Sequence, residues 1–333
     1  MKPRDLLLAL AVVVVWGVNF VVIEVGLEDF PPLLFSALRF FFAAVPAIFL
    51  LGKPRVAWRY VIGVGLALGV TKFGLLFIAM NNGVPAGLAS LVLQCQVIFT
   101  VLFAVVVLRE RPRWTQLAGI VIACAGMVLI MLDHGLSAPI GALALVIAAG
   151  AFWGVSNTIT RYAKPQDTLR FMIWVSAVAV VPLTLLSLLT EGPRADLDAL
   201  RGIQLTGVGA IAYLAFAATL FGFGAWGYLL RQYDASTVAP FSLLVPVVGM
   251  GAAWLLRGET VGVQQAIAAT LVIGGMACTV IRRRRQPSEP TATDSGDDSG
   301  DNSGNGSGNG IGGIDQPRAS DDAYAGELPE KYS

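Results

Sequence analysis

The stretch LLLALAVVVVWGVNFVVIEV (residues 6–25) decides the fold, because only Asn19 and Glu24 interrupt its run of apolar side chains. A helix needs about 20 predominantly apolar residues to cross the roughly 30 Å of hydrocarbon in a bilayer. Nine further stretches of this kind follow along the chain, at 33–51, 60–80, 84–107, 114–132, 140–160, 169–189, 203–229, 235–256 and 262–281. The pattern predicts an all-α integral membrane protein with ten transmembrane helices, joined by short connectors such as 191–194.

The composition disfavours several classes of protein. Charged residues make up 14% of the chain and apolar residues 56%, whereas a soluble domain carries about a quarter charged residues. A soluble enzyme or a nucleic-acid-binding protein is therefore not expected. The three cysteines lie in apolar stretches, and the single histidine, His134, cannot build a metal site alone. No metal and no cofactor is predicted.

The chain consists of two unlike parts. Residues 1–285 carry 21 basic and 12 acidic side chains, a net charge of +9, whereas residues 286–333 carry 2 and 10, a net charge of −8. Much of the second part is built of Asp, Ser, Gly and Asn, which bury too little apolar surface to offset chain entropy. We therefore expect 286–333 to be a disordered acidic tail.

The distribution of Lys and Arg predicts the orientation, because cytoplasmic loops of membrane proteins are enriched in these residues. Alternate connectors carry 15 of them: Lys2, Arg4, Lys53, Arg55, Arg59, Arg109, Arg111, Arg113, Arg161, Lys164, Arg231 and Arg282 to Arg285. The intervening connectors carry only Arg194, Arg201 and Arg257. Strict alternation requires an even number of spans, so we expect ten spans with both termini in the cytoplasm, in the plasma membrane of a bacterium.

The second half of the chain repeats the first. The segment WGVN (16–19) is matched by WGVSN (153–157), and LRF (38–40) is matched by LRF (169–171). Five further identical residues recur at an offset of 149: Ala86 and Ala235, Glu110 and Glu259, Gln116 and Gln265, Gly126 and Gly275, Met127 and Met276. Because the matches keep chain order and include Trp, Arg, Glu and Asn, they indicate an internal repeat.

The repeat predicts an inverted architecture. Five spans are an odd number, so the second copy enters the membrane from the opposite side. Secondary transporters use this design, and their substrate sites lie near the bilayer midplane between the two copies. We expect one five-helix repeat at 1–134 and a second at 135–285.

Four longer motifs carry a resemblance to a known family. They are VVWGVNFVVI (14–23), PPL (31–33), PAGLASLVLQ (85–94) and APFSLLVPVVG (239–249). With the repeat, they make the chain similar to the EamA-type family of the drug/metabolite transporter superfamily, over about residues 5–282. More narrowly, they resemble the exporters of amino-acid metabolites such as O-acetylserine and cysteine. The resemblance implies ten helices in two five-helix repeats, and it covers neither the tail nor Lys72.

Lys72 is the deepest charge in the sequence. It lies about twelve residues into the third span, about 18 Å deep at 1.5 Å per residue. Such a charge costs several kcal/mol unless it faces protein or water. No Asp or Glu occupies a comparable depth in any span. Two interpretations follow: Lys72 is neutral or reaches a wet cavity, or it meets a carboxylate of the substrate.

Other polar and aromatic residues are candidates for the same substrate site. Trp16 and Asn19 share one helix face, as do Trp153 and Asn157. Each pair therefore places an indole ring beside an amide, which can both donate and accept hydrogen bonds. The alternative is that these amides join helices to one another. Gln94 and Gln96 point to nearly opposite faces, and Gln94 is preferred by depth. Tyr213 and Trp226 either line the cavity or pack.

Six further residues are candidates for gating or for structure. Arg39 and Arg170 occupy similar places in the two repeats and act either in a gate or as interfacial anchors. Pro240 and Pro246 interrupt the ninth span and produce a moving kink or a static bend. Glu259, like its counterpart Glu110, precedes the next helix, where a carboxylate favours the helix dipole.

These features predict a secondary active exporter of small amino-acid-like metabolites that works by alternating access. No ATP-binding GxxxxGK[ST] motif occurs, so ATP is not expected to be the direct energy source for transport. The sequence does not determine the coupling ion. The partners are a small-molecule substrate and membrane lipid. An exporter of another organic solute or drug is the alternative within transport. A membrane-embedded enzyme would need clustered His, Asp or Glu, which the sequence lacks.

Overall fold

The computed structural model describes residues 1–109, 114–131, 138–233 and 238–280, and every regular element within these ranges is a helix. The helices are α1 (Pro3–Leu27), α2 (Pro32–Leu51), α3 (Trp58–Asn81), α4 (86–108), α5 (Trp114–Met131), α6 (Ile140–Ala163), α7 (Thr168–Thr190), α8 (Pro193–Arg201), α9 (Leu205–Gln232), α10 (239–257) and α11 (Val263–Val280). The residues Glu110 and His134 and the predicted tail lie outside the described residues.

Seven of these helices are long and apolar enough to cross a membrane: α1, α2, α3, α4, α6, α7 and α9. The helices α5, α10 and α11 are apolar, but their apolar segments in the described ranges are 10–17 residues long. The prediction of an all-helical membrane protein is therefore confirmed for the described residues, and the count of ten crossings stays a prediction.

Half of the connector predicted at 191–194 belongs to the short helix α8, which begins at Pro193. Gly192 adopts a φ of +96°, which turns the chain after α7. Pro193 then occupies the first helical position, where its fixed φ suits a helix and its missing N–H costs nothing. The segment between α7 and α9 thus contains a short helix that the sequence analysis did not predict.

Four helices change their hydrogen-bonding pattern part-way along. The residues Gly65–Lys72 of α3 and Tyr213–Phe221 of α9 form π-helical segments. The residues Leu93–Cys95 of α4 and Ala239–Leu244 of α10 form 3₁₀ turns. Such departures from the regular α-helix often mark functional sites in proteins. Lys72 is the last residue of the first π-helical segment, and Tyr213 is the first residue of the second.

The most extensive contacts between long helices are those of α5 with α11, α3 with α6, α4 with α6, α2 with α7, α1 with α10 and α1 with α9. In the first pair, a Cβ added at Gly275 would lie 2.5 Å from Gly119 O and 2.6 Å from Ala123 N. One added at Gly126 would lie 2.9 Å from Ala268 O. Glycines at these positions let the two backbones approach closely, as small residues do between membrane helices.

Two carboxylates bind the first turns of helices distant in the sequence. Glu191 accepts hydrogen bonds from the backbone N–H of Leu33 and Leu34 at 2.7 and 3.1 Å. Glu259 accepts from Ala86 and Gly87 at 2.9 and 3.2 Å. The reason is the same for both helices. Proline occupies the N-cap of α2 and of α4 and has no capping side chain, so the first N–H groups need an acceptor from elsewhere.

The expectation for Glu259 was therefore wrong in one respect. Its carboxylate binds the N-terminus of α4, where an anion suits the helix dipole, and not that of the helix that follows it. Partial burial in this position raises the pKa of the Glu259 carboxyl, although the N–H groups of Gly87 and Ala86 oppose the shift.

We predict that Gly275→Ala destabilises the protein by about 1–3 kcal/mol, because the new methyl group would overlap the backbone of α5. Gly274→Ala is the matched control, since a Cβ there meets no atom within 4 Å and alanine favours a helix by up to about 1 kcal/mol over glycine. The measurement is the Tm of the purified proteins in detergent, followed by tryptophan fluorescence. Equal Tm values for the two variants would contradict the close contact of α5 and α11.

Candidate substrate-binding site

Lys72 lies within the helical bundle, with 4% of its surface exposed. Its Nζ is 3.3 Å from the centroid of the Phe73 ring and 4.7 Å from that of Trp153. Aromatic faces stabilise a cation electrostatically, most strongly where water is excluded. In the described ranges Lys72 makes no ion pair. Its ammonium group is therefore held by rings and not by a carboxylate.

Arg39 is the second buried cation, with 2% of its surface exposed. Its Cζ lies 4.1 Å from the centroid of the Phe73 ring. Its Nε donates a hydrogen bond of 3.2 Å to Thr219 Oγ1, in the π-helical segment of α9. Its Nη1 has no hydrogen-bond partner in the described part of the chain. Arg39 and Lys72, from different helices, thus contact the same aromatic ring.

Trp16 and Tyr213 join α1 to α9. Trp16 Nε1 donates to Ala218 O at 3.0 Å, and Tyr213 OH donates to Val15 O at 2.9 Å. The indole ring of Trp16 packs against Trp226 at 5.3 Å and against Phe223 at 5.5 Å between centroids. Aromatic pairs at such distances stabilise helix contacts. The polar ends of Trp16 and Tyr213 are therefore already bonded.

Asn19 lies on the same helix as Trp16 and is 7% exposed. Its side-chain oxygen has no hydrogen-bond partner among the residues that the structure describes. A buried amide oxygen without a partner costs about 1–3 kcal/mol. Asn19 is thus available to accept a hydrogen bond from a bound molecule.

Asn157 connects α6 to α4. Its Nδ2 donates to Gln96 Oε1 at 2.9 Å and to Thr100 Oγ1 at 3.1 Å. Gln94, which the sequence favoured by depth, is buried, and its Nε2 lies 3.5 Å from Ser242 O across the 3₁₀ turns of α4 and α10. Gln94 thus contacts α10, whereas Gln96 accepts the hydrogen bond from Asn157 of α6.

The remaining candidates lie at helix starts and irregular segments. The backbone N–H of Arg170 donates to Asp167 Oδ1 at 3.1 Å, and Arg170 Nε lies 3.6 Å from Asp167 Oδ2. Pro240 lies in the 3₁₀ segment of α10, and Pro246 is buried in the first turn of the regular helix that follows. These positions favour anchoring for Arg170.

The structure therefore brings Lys72 and Arg39 together on the ring of Phe73, with Trp153 against Lys72. It places Trp16, Tyr213 and Trp226 in a second cluster. Sequence reasoning missed Phe73 and Thr219. The one sequence feature that could have identified Phe73 is its position directly after Lys72. Among the described residues, no group of three or more His, Cys, Asp or Glu side chains is placed to hold a metal ion.

Comparison with known proteins gives consistent matches along the chain. The model of the EamA-like transporter family matches twice, at residues 4–132 and 140–281. A probable amino-acid metabolite efflux pump of Escherichia coli K12 is 39% identical over 290 residues, which is 85% of this chain and 97% of that protein. One of the same description from Salmonella typhimurium LT2 is 42% identical and covers 84% and 96%.

Two more distant matches agree with these. A probable terminal-alkyne amino-acid exporter of Streptantibioticus cattleyicolor is 27% identical and covers 84% of this chain and 95% of that protein. A chain of known crystal structure superposes with a TM-score of 0.59 at 20% identity, covering 84% of this chain and 99% of the other. At that identity the superposition establishes the fold alone. Because the family model matches both halves and two relatives exceed 30% identity over nearly their whole length, this protein belongs to the EamA-like transporter family.

Proposed function

We propose that this multi-pass membrane transporter exports small amino-acid-like metabolites across the cytoplasmic membrane. The observation that carries the proposal is the buried Lys72, which has aromatic neighbours but no acidic partner in the described ranges. A substrate carboxylate would supply the missing charge. Two relatives above 30% identity have the description of probable amino-acid metabolite efflux pumps, and this supports the substrate class.

The proposed architecture is a pair of inverted five-helix repeats, at 1–134 and 135–285, followed by a tail at 286–333. Three observations support it. The family model matches each half separately. The contact of α1 with α10 has its counterpart in that of α6 with α4, as expected if α6 repeats α1 and α10 repeats α4. The π-helical and 3₁₀ segments also recur in corresponding helices, α3 with α9 and α4 with α10.

The proposed mechanism is alternating access around a site between the repeats. Lys72, Asn19, Asn157 and Gln94 would hold the polar head of the substrate. Trp16, Trp153, Tyr213 and Trp226 would form its aromatic walls. The irregular segments would allow the helices to bend, with Pro240 and Pro246 in α10 and Arg39 and Arg170 in the two repeats as gating or anchoring elements. Both termini would be cytoplasmic, since Lys and Arg concentrate in alternate connectors.

Two deep cations favour this function over the export of organic cations. Arg39 and Lys72 are both buried, and within the described ranges neither pairs with a carboxylate. A cationic drug would meet two like charges in a medium of low dielectric constant, where repulsion is strong. Export of another anionic or neutral solute remains the alternative within transport.

We expect expression of the gene to raise the extracellular concentration of cysteine-pathway metabolites several-fold, because an exporter adds a route that passive diffusion does not supply. The measurement is mass spectrometry of the medium of a bacterial strain with and without the gene, together with tolerance to added amino acids. Unchanged medium and unchanged tolerance would contradict the proposed substrate class.

We predict that Lys72→Met lowers export about tenfold or more, because a charged hydrogen bond to a substrate is worth about 1.5–3 kcal/mol and 1.4 kcal/mol corresponds to a factor of ten. Methionine removes the buried charge and keeps a long flexible side chain. Lys53→Met, at an exposed connector position, is the control and should export normally. Normal export by Lys72→Met at an equal protein level would remove Lys72 from the site.

A further inference from the structure

Arg39 and Lys72 form a pair of like charges on one aromatic ring. Lys72 Nζ is 3.3 Å and Arg39 Cζ is 4.1 Å from the centroid of Phe73, so the two cationic groups are no farther apart than the sum of these distances, about 7.4 Å. Both residues are more than nine-tenths buried. Placing two cations this close in a protein interior is unfavourable, so either an anion lies between or beside them or Lys72 gives up its proton.

Among the described residues, no acidic side chain pairs with either cation. The sequence has no acidic residue between Asp29 and Glu110, which covers the helices of both cations, and none between Asp198 and Asp234, which covers α9. In the described ranges, the single hydrogen bond to either cationic group is that of Arg39 Nε with Thr219. Arg39 Nη1 stays buried without a partner. An unsatisfied guanidinium N–H beside an ammonium is a site for an anion with two acceptor atoms.

A substrate ammonium group is poorly accommodated in the same place. The Phe73 ring already contacts both cations, and the Trp153 ring contacts Lys72. The Trp16 ring is packed against Trp226 and Phe223. A free amino group would therefore find cations nearby and few unoccupied aromatic faces to stabilise it.

From this arrangement we infer that Arg39 and Lys72 form one carboxylate-binding site, and that the transporter prefers organic carboxylates with a net negative charge, such as N-acylated amino acids, over zwitterions. This inference rests on the proposed export function and narrows its substrate class. Arg39 becomes a substrate-binding residue, and Thr219 becomes a positioning residue that orients its guanidinium. Because an anion leaves the cell down an inside-negative potential, the membrane potential itself can drive its export.

The test compares two isomers of equal size, N-acetylserine, an anion at neutral pH, and O-acetylserine, a zwitterion. Each is loaded at pH 6.5 into liposomes that contain the purified full-length protein, and its efflux is measured by mass spectrometry. We expect N-acetylserine to leave about tenfold faster than O-acetylserine, the size expected for one charged hydrogen bond. An inside-negative K⁺ diffusion potential should accelerate the efflux of N-acetylserine and not that of O-acetylserine.

The outcomes separate the inference from the proposed function. Efflux of O-acetylserine at an equal or higher rate overturns the preference for anions and leaves export of amino-acid-like metabolites standing. If the efflux rate of N-acetylserine does not change with the membrane potential, its export as a net anion is overturned. Efflux of neither compound above that of protein-free liposomes overturns the proposed function together with the inference.

Variants connect the preference to Arg39. Arg39→Gln should lower N-acetylserine efflux about tenfold and bring the ratio of the two rates toward one, whereas Arg39→Lys should retain more of the ratio because it keeps the charge. Arg194→Gln, on the exposed helix α8, is the matched control and should change neither rate. A loss of both rates with an unchanged ratio would show a merely structural role for Arg39 and overturn the inference.

Thr219→Val provides a second variant in case Arg39→Gln does not fold. It removes the hydroxyl that accepts from Arg39 Nε and keeps the shape of the side chain. We expect the KM for N-acetylserine to rise several-fold while the maximal rate is retained, because the guanidinium is less well oriented. An unchanged KM would overturn the positioning role of Thr219 and, with it, the assignment of Arg39 to the site.

Discussion

The burial of two cations in a membrane-embedded bundle is the constraint on which the rest of the site depends. A cation removed from water needs a compensating group, and the described residues supply aromatic faces and one hydroxyl instead of carboxylates. The Phe73 ring contacts both Arg39 and Lys72, and the Trp153 ring contacts Lys72. Thr219 accepts a hydrogen bond from Arg39. These contacts require α2, α3, α6 and α9 to meet at one place. The arrangement leaves positive charge uncompensated, which is the property expected of a site that binds an anion.

The irregular helical segments fit this requirement. A π-helical segment shifts the register of the side chains that follow it, and both Lys72 and Thr219 lie in such segments. Thr219 Oγ1 also donates to Leu214 O, five residues earlier in the chain, a bond that the wider π-helical turn allows. Away from the site, Glu191 and Glu259 satisfy the first turns of α2 and α4. Irregular backbone thus occurs near the cations, while the first turns of α2 and α4 are satisfied by carboxylates from distant parts of the chain.

Much of the fold followed from the sequence because the membrane imposes a simple rule on length and polarity. Apolar stretches of about 20 residues predict helices reliably, and α1 to α4, α6, α7 and α9 lie where they were expected. The absence of Asp and Glu from the apolar stretch that contains Lys72 was equally accessible. The contact of Asn157 with Gln96 and the binding of Glu259 to α4 were not, because each joins residues at least 61 positions apart. Helical periodicity states which residues share a face, but it does not state which helix that face meets.

By itself, the sequence determined that this protein is a helical membrane protein with a lysine inside its third apolar stretch and matching motifs in its two halves, because these properties depend on local composition and order. Only the tertiary structure decided that Arg39, interpreted from sequence as a gate or an anchor, shares an aromatic ring with Lys72. It also decided that Trp16 and Tyr213 bond to neighbouring helices. The physical reason is that hydrophobicity drives helices into the bilayer without selecting their neighbours, whereas pairing between helices depends on side-chain shape, small residues and hydrogen bonds between distant segments.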